Sequence, residues 1–103
     1  MAEELTKNSF EDFIKEGLVL IDFTADWCMP CVMMAPIFEE VSEKFKGKIN
    51  FGKVNIEDNQ ALAQKFNVST VPNFVLFKDG KDVDNFIGGM SAEDLSGKLN
   101  KHL

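Results

Sequence analysis

Residues 24–34 read TADWCMPCVMM. The two cysteines stand three apart, with Trp27 against the first and Pro30 against the second, and the chain has no others. A pair so spaced can be a metal clip, a structural staple or a reactive couple that opens and closes. Its flanks decide the fold. Upstream, residues 18–23 (LVLIDF) are an almost unbroken apolar run of β-forming residues, as expected for a strand buried on both faces, interrupted only by Asp22. Downstream, Met34, Ile37, Phe38, Val41 and Phe45 recur at steps of three and four, which predicts one face of a helix, kinked at Pro36 and closed by Gly47. The cysteines therefore lie where a buried strand hands over to a helix.

Working outward, Asn8-Ser9 before Phe10, Phe13 and Ile14 predicts a short capped helix, with Glu11 and Asp12 in its first turn and Gly17 as its stop. Residues 49–56 alternate well enough for a second strand, and residues 59–66 predict a weaker helix on Leu62, Ala63 and Phe66. Ser69-Thr70-Val71-Pro72 leads into a short strand over 74–77, which Asp79-Gly80 turns back into a partner over 83–87. After Gly88-Gly89, Ser91 with Asp94 caps a last helix whose buried stripe is Leu95 and Leu99. Strand–helix alternation predicts parallel strands with right-handed crossovers, and the hairpin adds an antiparallel edge. An α/β fold follows, with a mixed central sheet flanked by helices on both faces.

At 103 residues the chain has the length of one domain, 1–103, with its own core. Hydrophobic residues at 45% and charged residues at 27% argue against a disordered chain. A net charge of −6, with lysines but no arginine, argues against nucleic acid as a partner. The first ten residues have neither a basic nor an apolar signal region, and no apolar run approaches a membrane span, so a cytoplasmic address without membrane contact is expected. Cellular thiols there disfavour a permanent disulfide and favour a catalytic or metal-binding pair.

A structural zinc site needs four ligands, and the chain offers two cysteines and His102 at its far end. An iron–sulfur cluster shared between two chains stays open on stoichiometry. A bridge across so short a segment removes little freedom from the unfolded chain and makes a weak staple. As a reactive couple the pair is well placed. Cys28 at a helix N-terminus has unpaired N–H groups and the helix dipole to favour its thiolate, which makes it the candidate nucleophile. Cys31, one turn later on the same face, is the candidate resolving thiol. Asp22 inside an apolar strand should have a raised pKa, suited to passing a proton to or from a thiol, unless it faces water or only pairs with Lys53. The ten phenylalanines and Met34 read as core, and His102 as a solvated tail residue.

Taken together, DFTADWCMPC with Asp22 six residues before Cys28, then Pro36, Lys53, Thr70-Val71-Pro72 and Gly88, resembles the thioredoxin family across nearly the whole chain. That resemblance implies a thioredoxin fold with a four- to five-stranded sheet, from which this sequence departs in a first strand abbreviated to a few residues around Leu5. It implies that Trp27 flanks the active site, Cys28 attacks, Pro30 tunes it and Cys31 resolves. Asp22 and Lys53 match the family's buried acid and its lysine. Pro72 matches a cis-proline whose preceding residue, Val71, pairs by backbone with substrate, and Gly88 a glycine of the substrate-contact surface. Met29 stands where the family usually has glycine, and Thr24 where many members have a second tryptophan.

The implied activity is reduction of disulfides in other proteins through a reversible Cys28–Cys31 dithiol, with no bound cofactor or metal. The implied partners are disulfide-bearing proteins and an electron-donating reductase, and a monomer is expected. A rim of Trp27, Met29, Val71, Pro72 and Gly88 would accept the substrate. A glutaredoxin-like, oxidase or isomerase variant of the same fold, and a redox-independent binding module using the same patch, stay open as alternatives.

Overall fold

The computed structural model describes residues 2–103. Five strands, β1 (Glu3–Glu4), β2 (Leu18–Thr24), β3 (Ile49–Asn55), β4 (Asn73–Lys78) and β5 (Lys81–Ile87), form one sheet in the order β1-β3-β2-β4-β5. β1, β3 and β2 run parallel, β4 pairs antiparallel with β2, and β5 pairs antiparallel with β4. The helices are α1 (Phe10–Ile14), α2 (Met29–Lys44), α3 (Gln60–Lys65) and α4 (Ala92–Asn100). The mixed sheet is thus the one the alternation of elements predicts, and the first strand is only two residues long.

Strand parity sorts the core into two layers. Val19, Ile21 and Phe23 of β2 join Phe10 and Ile14 of α1 and Leu62 and Ala63 of α3 on one face. Leu20, between them, joins Met34, Phe38 and Val41 of α2 and Leu95 and Leu99 of α4 on the other. Because side chains alternate along a strand, Asp22 shares the side of Leu20 and points into the α2 layer. Both layers contain clustered phenylalanines. Phe10, Phe23, Phe66 and Phe77 pack ring against ring on one face, and Phe38 meets Phe51 and Phe74 on the other. Burying each such ring contributes about 1.5–3 kcal/mol.

Two backbone positions explain how the edges close. A Cβ at Gly52 of β3 would lie 2.7 Å from Leu5 Cδ1 and 2.9 Å from Phe13 Cε2, so the glycine lets β1 and α1 settle on the strand. Asp79 and Gly80 both take positive φ, 51° and 88°, as the tight hairpin between β4 and β5 requires. Asp79 also accepts the Gly17 amide at 2.8 Å through its carboxylate and donates its own amide to the Gly17 carbonyl at 3.0 Å, which ties the hairpin to the entrance of β2.

Two local expectations are corrected. Ser9 precedes α1 but does not cap it: its hydroxyl turns back, accepting the Thr6 amide at 3.1 Å and donating to the Thr6 carbonyl at 3.4 Å. His102 is not a solvated tail residue, since its Nε2 lies 2.9 Å from Asp84 Oδ2 on β5 and the ring is half-buried. No helix among the described residues is long and apolar enough to cross a membrane.

Candidate active site

β2 ends at Thr24 and α2 begins at Met29, with Cys28 as its N-cap in extended conformation, φ −91° and ψ 109°. Pro30 falls in the first helical turn, where its missing N–H leaves no intrahelical bond unmade. Cys31, the third helical residue, donates its amide to Cys28 Sγ at 3.3 Å. A sulfur here fills the place a serine or aspartate oxygen takes at most helix starts. The two cysteines form a disulfide across a Cα–Cα distance of 5.2 Å. Both are buried, packed with Ala25 and flanked by Ile56 and Val71.

Asp22, on β2, is 2% exposed, and its Oδ1 has no hydrogen-bond partner among the described residues. Burial raises its pKa from 3.8 to about 7, and the positive charge of Lys53 moderates the rise. Lys53 is its register partner on β3. A cleft of about 260 Å³, lined by Cys31, Lys53, Thr24, Ala25 and Ala35 among others, opens beside them. Small side chains at 24, 25 and 35 leave that space clear. The resolving-thiol candidate and the lysine thus face the same water-accessible volume.

In front of the disulfide, the Val71 carbonyl oxygen stands 3.6 Å from Cys28 Sγ. The Val71–Pro72 peptide bond is cis. Pro72 itself is buried, and its carbonyl accepts the Gly88 amide at 2.8 Å, so it fixes the loop and exposes little surface of its own. Gly88 has φ +97°, the left-handed region that favours glycine. Trp27 and Met29 project from the rim, 68% and 66% exposed.

Of the residues singled out in the sequence, Val71 meets Cys28, Pro72 meets Gly88, and Lys53 shares a cleft with Cys31, while Pro72 lies beneath the surface rather than on it. Sequence reasoning missed the extension of the apolar surface along α2. Val32 and Met33 are both exposed, and Met90 joins Met33 in a groove next to the cysteines. The signal was available, because Met29 and Met33 are four apart and off the stripe that begins at Met34. Among the described residues no group of three or more histidines, cysteines and carboxylates is placed to hold a metal.

Such a site, a disulfide at a helix start sharing a cleft with the lysine paired in register with a buried aspartate, invites comparison with known proteins. The Thioredoxin family model matches residues 1–101. A thioredoxin of Staphylococcus saprophyticus subsp. saprophyticus is 40% identical over 100 residues, covering 97% of this chain and 96% of its own. One from Chlamydia caviae is 41% identical over 102 residues, covering 99% of each chain, and one from Staphylococcus haemolyticus is 39% identical over 100. With this cysteine pair the molecule is a thiol–disulfide oxidoreductase that reduces protein disulfides, and the family works with disulfide-bearing substrates and a reductase. Fold, site and relatives converge: the chain belongs to the thioredoxin family.

Proposed function

We propose that Cys28 is the attacking thiol and Cys31 the resolving one, with Asp22 and Lys53 handling the proton between them. The observation that carries this division of labour is the capping geometry. Cys28 Sγ receives the Cys31 amide and the field of a 16-residue helix, so its thiolate is the favoured one. That thiolate attacks one sulfur of a substrate disulfide; a Cys28–substrate disulfide forms and the other substrate sulfur leaves as a thiolate. Cys31 then attacks Cys28 Sγ and releases the remaining substrate thiolate. Two electrons have passed from the dithiol to the substrate, and Cys28–Cys31 is a disulfide again.

The Cys31 proton has to leave before the second attack. Asp22, with a pKa of about 7, is matched to accept a proton near neutral pH, and the cleft shared by Cys31 and Lys53 has room for water to relay it. The substrate rests on Trp27, Met29 and Pro30, with its backbone against Val71 and Gly88, and Pro72 shapes that loop from below. A cytoplasmic reductase renews the dithiol, and the chain acts as a monomer.

A Cys31→Ser variant tests the assignment. Reduced and mixed with a protein disulfide, it should accumulate a stable mixed disulfide at Cys28, seen by intact mass. Catalytic turnover without a trapped adduct would remove the resolving role from Cys31.

A further inference from the structure

The groove missed in the sequence carries a chemistry of its own. Met29, Met33, Met34 and Met90, with Pro30 and Ile37, line a volume of about 400 Å³ beside the disulfide. Four of the chain's five methionines therefore meet in one place, and the structure divides them. Met29 and Met33 are 66% and 68% exposed, whereas Met34 is 2% exposed with its Sδ accepting the Met90 amide at 3.3 Å. A thioether has no proton to lose, so access controls its reaction with peroxides. The two outer sulfurs are open to such attack and Met34 is closed to it.

We propose that Met29 and Met33 are a peroxide-modification site whose oxidation weakens docking of protein disulfides without impairing the cysteine chemistry. The thioether sulfur attacks one oxygen of hydrogen peroxide, the O–O bond breaks, the sulfur–oxygen bond forms and water leaves. Methionine is oxidised by two electrons and the peroxide is reduced. The product is a polar sulfoxide on a surface that was apolar. Met29 and Pro30 lie between the two cysteines, so the groove adjoins the disulfide. A substrate whose sulfur reaches Cys28 lays the apolar side chains flanking its own cysteine over Met29 and Met33. A small disulfide has no such flanks.

This rests on the reductase reading, so untreated protein is first assayed on insulin with dithiothreitol as electron source and the uncatalysed rate subtracted, and, pre-reduced and freed of dithiothreitol, on a small aromatic disulfide in single turnover. Failure to reduce either one refutes the reductase reading, and with it the docking consequence, before peroxide is used. The disulfide form is then treated with hydrogen peroxide, mapped by peptide mass spectrometry and reduced again with dithiothreitol. One added oxygen is expected on each of Met29 and Met33 ahead of Met34. The KM for insulin should rise roughly tenfold, while kcat and the rate with the small disulfide hold. An M29L/M33L variant, whatever its starting rate, should keep that rate after treatment. Oxidation of Met34 first, an unchanged KM in the doubly oxidised protein, or an equal fold-loss in the leucine variant would each overturn the proposal.

Discussion

At the start of α4, Ser91 sits in extended conformation, φ −74° and ψ 162°, and its hydroxyl accepts the Asp94 amide at 3.0 Å. At the start of α2, Cys28 holds the same position, and its sulfur accepts the Cys31 amide at 3.3 Å. The first turns differ where charge is concerned. α4 carries Glu93 and Asp94, carboxylates that already answer the positive end of the helix, whereas α2 has no acidic residue there. One capping geometry thus serves two ends. In α4 the field is neutralised by fixed charges and the cap holds the helix; in α2 the field is left for the sulfur, and the cap is one half of the redox pair.

The largest effect should come from making the two caps alike. Cys28→Ser keeps a good N-cap and removes the thiolate, so insulin reduction should fall to the uncatalysed rate. The reduced variant should stay within about 1 kcal/mol of the reduced parent in urea unfolding. Surviving turnover would show that Cys28 is not the nucleophile, and a large loss of stability would show that its sulfur holds more than a cap.

Next in size is the buried carboxylate on β2, which has no counterpart at α4. Between about pH 4 and pH 7 native Asp22 keeps a proton that the unfolded chain has lost, because its pKa is raised from 3.8 to about 7. The native state binds more protons, so stability falls as pH rises through this window and the full penalty stands above it. About three pH units correspond to a ceiling of roughly 4 kcal/mol. Asp22→Asn, with no charge to bury, should therefore be more stable than the parent at pH 8, by about 2–4 kcal/mol, and equal to it near pH 4. Urea midpoints of the disulfide form across that range measure the difference. A gap that does not change with pH would mean that Asp22 is not titrating where its burial places it.

Much of this contrast was legible in the residues. The run LVLIDF, the three-and-four spacing from Met34 and the Asp79-Gly80 turn act within a few residues of themselves, and β2, α2 and the hairpin emerged with ends moved by a residue or two. Ser91 with Asp94 was legible for the same reason, since a cap reaches only three residues. What escaped depends on a competing local bond or on distant partners. Ser9 has the right letters for a cap, yet Thr6 competes for its hydroxyl. His102 is tied down by Asp84 on a strand 18 residues away. At the site, Cys28, Cys31 and Asp22 were marked by their own neighbours, but Pro72 is buried where its carbonyl takes the Gly88 amide, and Met33 meets Met90 in a groove, contacts between segments far apart in the chain.

The smallest expected effect lies at the other cap, and it separates holding a helix from doing chemistry. Ser91→Ala leaves the Asp94 amide without its side-chain acceptor and should cost about 1 kcal/mol in urea unfolding. Leu95 and Leu99 remain fully buried in the layer they share with Met34 and Phe38 of α2, so α4 stays docked and frays only at its first turn. Insulin reduction should then match the parent, in contrast to the complete loss from the equivalent oxygen-for-sulfur change at Cys28. A Ser91→Ala protein that unfolds at the parent's urea midpoint would show that Glu93 and Asp94 hold the α4 start without the hydroxyl. One that keeps its midpoint shift but reduces insulin more slowly would place the start of α4 inside the substrate surface, and the two caps would no longer divide into structure and chemistry.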